Sequence, residues 1–150
     1  MKHIEIPRMF PVRQNFSSEE IQDWREALKK AIKEAGAESS VHPGMRIAIT
    51  AGSRGIDHIA DYLRFIGECL RSQGAEPFVV PAMGSHGGAT AEGQRNILES
   101  YGITEEFCEC PIFSSMETVE VGKMPDGDPV RMDRFAFESD AVVVVGRIKG

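Results

Sequence analysis

The stretch MRIAITAGSRGI, residues 45–56, decides the fold. Its Ile47-Ala-Ile-Thr50 centre is a short apolar run that reads as a buried strand. GSRG at 52–55 turns the chain, and Ile56, Ile59, Ala60, Leu63, Ile66 and Leu70 follow at helical spacing up to a stop at Gly74. Next, Pro77-Phe-Val-Val80 is a second short strand, PAMGSHGGAT (81–90) a second small-residue loop, and Ile97, Leu98 and Tyr101 mark a helix closed by Gly102. Strand, helix, strand, helix with such short connections predicts parallel strands wound by right-handed crossovers.

Outward from this unit, residues 1–16 carry Ile4, Ile6, Phe10 and Val12 broken by Pro7 and Pro11, which suits an extended, edge-like entry segment. Ser17-Ser-Glu-Glu20 has the spacing of a capping box. The apolar stripe Ile21, Trp24, Leu28, Ala31, Ile32 and Ala35 then predicts an amphipathic helix ending at Gly36 and packed on the sheet, with Trp24 as a core anchor. Further on, Thr118–Val121 and Pro129–Phe137 flank the turn-forming Pro125-Asp-Gly-Asp128, the pattern of an antiparallel hairpin. Ala141–Val145 is the most apolar run and fits a strand buried on both faces. The expected fold is α/β: a Rossmann-like three-layer sandwich with a mostly parallel sheet plus a β-hairpin.

At 150 residues, 41% hydrophobic and 27% charged, the chain fits one folded domain. Because a strand of that kind normally passes its chain to a ligand-binding loop, and only Gly146–Gly150 follow, it is expected to be one domain of a longer polypeptide. Acidic residues outnumber basic ones by 23 to 17, the net charge is -6, and Lys and Arg form no block, so nucleic acid is not an expected partner. No apolar run reaches the ~20 residues of a membrane span, and MKHIEIPRMF lacks the apolar core of a signal peptide, which predicts a cytoplasmic protein without a membrane partner. Cys69, Cys108 and Cys110 cannot all pair within one chain, and a single Cys-x-Cys lacks the second ligand pair of a zinc site; reduced structural thiols are expected.

In an open parallel sheet, GSRG and MGSHGG leave strand ends on the same edge and face one crevice. Each precedes a helix amino terminus, whose N–H groups and partial positive charge favour an anion. A carboxylate or phosphate is expected against the backbone near Ser85, Gly87 and Gly88, with Arg54 as bidentate partner and Ser53 beside it. His86 would stand next to that anion as an acid/base, because imidazole titrates near neutrality. The alternative leaves the glycines to supply unusual backbone angles and His86 to cap a helix or bind a carbonyl. His3, His42 and His58 sit in weaker contexts. Dinucleotide and P-loop fingerprints, the G-x-S-x-G elbow and H-E-x-x-H are absent.

With those residues in view, ITAGSRGI (49–56), VPAMGSHGGATAEGQ (80–94), CPIFSSMETVEVG (110–122) and VVVVGRIK (142–149) resemble the amino-terminal domain of the lactate racemase family of nickel-pincer enzymes. The resemblance spans roughly residues 45–149 and is closest to the branch whose loops read GSRG and GSHGGAT. It implies a racemase or epimerase of 2-hydroxy acids that uses a nickel-pincer nucleotide. In such enzymes a histidine removes the hydroxyl proton while hydride passes from the α-carbon to the cofactor's pyridinium ring, and return of the hydride to the other face inverts the centre. By resemblance His86 is the first acid/base histidine and Arg54 holds the substrate carboxylate. Ala51 stands where lactate-specific members carry an acidic residue, which argues against lactate itself. The second histidine, in a Lys-Pro-His run, has no counterpart after Lys149, and the cofactor-bearing lysine and nickel-ligating histidine are expected outside this chain. Residues 1–150 alone are therefore expected not to racemise. A non-catalytic module binding an anionic metabolite in the same crevice stays open as the alternative.

Overall fold

The structure, a computed structural model, describes residues 9–13, 15, 21–53 and 55–147. In chain order, α1 (Trp24–Glu34) and α2 (Ala37–Ser40) precede β1 (Arg46–Ala51), α3 (Ile59–Ser72), β2 (Glu76–Pro81), α4 (Ala91–Ser100) and α5 (Glu105–Cys108). β3 (Thr118–Lys123), β4 (Pro129–Asp133), α6 (Arg134–Phe137) and β5 (Ala141–Val143) complete the order. β1 is the sheet's centre: Ile49 pairs in parallel with Val79 of β2 on one side and Val143 of β5 on the other. Beyond β2, Ile112 adds a parallel bridge to Val79, with Val79 N–H donating to Pro111 O at 2.8 Å and Phe113 N–H to Val79 O at 2.9 Å. β3 and β4 form a separate antiparallel hairpin.

Alternation along the strands divides the core. Ile47, Ile49, Ala51 and Val79 face Leu63, Ile66 and Leu70 of α3, Leu98 of α4, and Ile103. Ala48, Phe78 and Val80 face the other way, onto Ala136 of α6, with Phe113, Phe135 and Met132 packed around them. The layers are thus helices, sheet, and hairpin with α6: the expected α/β sandwich. Each fully buried Ile or Leu contributes roughly 1.5–3 kcal/mol, and Ile47 and Ile49 of β1, Leu63 of α3 and Leu98 of α4 are among them.

Three expectations change. The first helix starts at Trp24, where the Asp23 side chain accepts from the Glu26 N–H at 3.0 Å; Ser17–Glu20 lie outside the described residues. Ile21 precedes the helix and is 71% exposed. α1 buries no residue fully: it lies beside α3 and faces β5 across a cavity, so Trp24, edge-on to Tyr62 at 4.9 Å, is half-buried and not a core anchor. The second hairpin strand stops at Asp133, not Phe137, since the Asp133 carboxylate accepts from the Ala136 N–H at 2.9 Å and starts α6. Finally, β5 is not buried on both faces: Ala141, Val142 and Val143 are half-buried and Val144 is 79% exposed. It pairs with β1 alone among the described residues, and it ends where Val145 N–H turns to the Thr50 hydroxyl at 3.0 Å instead of a ladder carbonyl.

The three cysteines are free thiols. Burial, reinforced by nearby Cys110, pushes the Cys108 thiol up to about 11, and burial raises Cys110 as well. Among the described residues no helix is long and apolar enough to cross a membrane.

Candidate active site

The register that pairs Ala51 with Pro81 brings the carboxyl ends of β1 and β2 together, and Ala82 N–H donates to Ala51 O at 2.7 Å as they leave the sheet. The two small-residue loops therefore emerge side by side. Within the second loop the backbone runs through positive φ at Gly84 (59°), Gly87 (66°), Gly88 (67°) and Ala89 (53°), angles that cost a side-chain-bearing residue roughly 1–2 kcal/mol each. Gly87 has a second constraint. A Cβ there would lie 2.4 Å from the Gly93 carbonyl carbon, so the loop rests backbone to backbone on the first turn of α4.

His86 hangs from this loop by its Nδ1, which is 2.6 Å from Met83 O and 3.1 Å from Ser53 Oγ. A carbonyl oxygen only accepts, so Nδ1 carries the ring hydrogen of the neutral imidazole and Nε2 carries the lone pair. Among the described residues Nε2 has no hydrogen-bond partner. With the Nδ1 hydrogen directed at Met83 O, the Ser53 hydroxyl keeps its own hydrogen for another acceptor.

Predicted site residues Ser53 and His86 thus meet across the two loops, one half-buried and the other exposed. Ser85 is exposed beside them, Gly87 is half-buried, and Gly88 is exposed with nothing within 4 Å of a Cβ placed on it. Neither the Gly87 nor the Gly88 N–H has an acceptor among the described residues. The α4 terminus itself is capped differently, by Thr90 Oγ1 accepting from the Gly93 N–H at 3.0 Å. Arg54 lies outside the described residues. His58 turns to Asp61 at 3.2 Å and stands 6.3 Å from the Trp24 ring.

The carbonyl bond foreseen for a purely structural histidine is therefore present, but it engages one ring nitrogen and leaves the other available. Sequence reasoning missed Gln94, 4% exposed, whose Nε2 donates to Gly84 O at 2.7 Å. It also took Tyr101 for an apolar helix residue, whereas its hydroxyl donates to Ser53 O at 2.7 Å. No local pattern marks either contact, since each acceptor is a backbone carbonyl, ten residues away for Gln94 and 48 for Tyr101. Among the described residues no three His, Cys, Asp or Glu side chains converge as a metal site. Cavities of 390 Å³ at the amino edge of the sheet and 650 Å³ between α1, α3 and β5 are lined by neither loop.

Parallel strands ending in two small-residue loops, with a histidine between them, define an α/β domain of the kind that handles ligands at the carboxyl edge of its sheet. The chain belongs to a particular family of such domains, the lactate racemase N-terminal domain, whose family model matches residues 6–150. That family is one of isomerases. No curated protein and no solved structure matches the chain.

Proposed function

We propose that this chain is the amino-terminal catalytic domain of a nickel-pincer-nucleotide-dependent racemase or epimerase of 2-hydroxy acids, with His86 as one of its two acid/base groups. The observation that carries this reading is the His86 ring, held at Nδ1 by Met83 O so that its basic Nε2 is left available. His86 Nε2 takes the hydroxyl proton of the substrate and later returns it. Ser53, whose hydroxyl hydrogen is not needed by His86, donates to the substrate carboxylate, and Arg54 pairs with the same group. The cofactor, when bound, supplies the acceptor and donor for the α-hydrogen.

The residues present fit a nucleotide's anionic part. Gly87 and Gly88 offer two N–H groups without acceptors among the described residues, and a Cβ on Gly88 would stand in open space where a phosphate can approach. In this reading the nickel ligands and the lysine attachment are supplied from outside these two loops.

Inversion needs a proton-handling group on each face of the substrate, and these loops supply one. Purified 1–150 offered D-2-hydroxy acids and pre-formed cofactor should leave chirality unchanged. In the complete gene product, His86→Ala should lower racemisation by at least ~10²-fold, while Ser53→Ala and Arg54→Ala should act mainly through KM. Wild-type turnover in His86→Ala would remove the acid/base role. The second reading, a non-catalytic anion-binding module, predicts that oxalate binds with equal affinity to wild type and His86→Ala and that neither turns over substrate.

A further inference from the structure

We infer that Gln94 and Tyr101, both carried by α4 and its cap, are positioning residues that set the tautomer and orientation of His86, an inference that rests on the acid/base reading of that ring. Gln94 is the one buried polar side chain among the described residues, 4% exposed. Its amide can face Gly84 O only through Nε2, because a carbonyl accepts and does not donate. Gly84 stands next to Met83, whose carbonyl holds both the His86 N–H at 3.3 Å and the ring Nδ1 at 2.6 Å. With φ at 59° and no Cβ, Gly84 has little conformational restraint of its own; the Gln94 bond supplies it, and through it fixes the direction of the Met83 carbonyl.

Tyr101 does the corresponding work on the first loop. Its hydroxyl donates to Ser53 O at 2.7 Å, and this fixes the backbone that carries Ser53 Oγ to within 3.1 Å of Nδ1. Gln94 and Tyr101 are seven residues apart, two helical turns, and so lie on one face of α4. Leu98, four residues after Gln94 on that face, is fully buried in the core and anchors the helix. One rigid element therefore grips both loops, which share no backbone continuity, and a ring suspended between them keeps a single hydrogen-bonding state.

The test reads the ring directly. Ring ¹⁵N shifts of His86 in the 150-residue chain, at a pH where the imidazole is neutral, report which nitrogen carries the hydrogen. Wild type should show the hydrogen on Nδ1. Gln94→Met preserves volume and burial while removing the donor, and Tyr101→Phe removes one oxygen at a partly exposed ring. Gln94→Met should lower the Nδ1-to-Nε2 tautomer ratio about fivefold, the effect of one hydrogen bond, and Tyr101→Phe should move the ring shifts by releasing Ser53 from the ring, while β1 and β2 amide signals stay in place. If Gln94→Met does not fold, Tyr101→Phe alone decides. Wild-type ring shifts in the folded variants would overturn the positioning role and leave the acid/base reading intact. Hydrogen on Nε2 in wild type would overturn both.

Discussion

Replacing Gly87 with alanine separates two demands that the loop makes on its glycines. At Gly87 the new Cβ meets Gly93 C at 2.4 Å and Gln94 N at 2.6 Å, both backbone atoms that cannot swing aside, and φ is +66°. The left-handed angle costs roughly 1–2 kcal/mol and overpacking against fixed atoms roughly 1–3 kcal/mol, a combined loss of about 2–5 kcal/mol. Gly88 has nearly the same angle, +67°, but nothing within 4 Å of its Cβ, so Gly88→Ala should lose only the first part, about 1–2 kcal/mol. Urea denaturation followed by far-UV circular dichroism is the assay. With a slope near ~2 kcal/mol/M, the midpoint should fall by about 1–2.5 M for Gly87→Ala and about 0.5–1 M for Gly88→Ala. Equal midpoints for the two variants would refute the claim that the loop rests backbone to backbone on α4.

Leu63→Ala, which empties a fully buried site between α3 and the sheet, should destabilise the chain by about 2–5 kcal/mol in the same assay. Stability should also decline at alkaline pH. The Cys108 thiol rises from its ordinary 9.0 to about 11 in the folded chain, so above pH 9 the unfolded state releases this proton first and binds fewer protons than the native state. Its contribution is complete below 9.0 and lost as pH climbs through about 11; Cys108→Ala should flatten the decline measured as urea midpoint against pH.

Much of the fold was legible because the strands announce themselves locally. Ile47–Thr50 and Pro77–Val80 are short apolar runs bounded by glycine loops, and both are strands paired in register. The helices after them end where Gly74 and Gly102 take positive φ. What was not legible depends on partners far along the chain. Ala141–Val145 reads as a fully buried strand, yet Thr50, almost a hundred residues earlier, diverts its backbone. Asp133 looks like one more residue of an alternating strand, yet it is the last one and its carboxylate caps the helix that follows. Pro111–Phe113 carries no strand pattern and joins the sheet only because β2 offers an edge. At the candidate site, glycine spacing and His86 were visible in sequence. The tautomer was not, because it is imposed by a backbone carbonyl, that of Met83, whose direction no sequence pattern shows.

The loose seating of α1 makes the chain its own two-channel reporter. Trp24 is the single tryptophan, and its ring touches α3 through Tyr62 and Phe65 while no residue of α1 is fully buried. Tryptophan emission therefore follows the docking of α1, whereas far-UV circular dichroism follows the helices and sheet together. Undocking of α1 at lower denaturant than the sheet would separate the two transitions, so that a cofactor or substrate gripped by the loops shifts the later one and leaves the earlier in place.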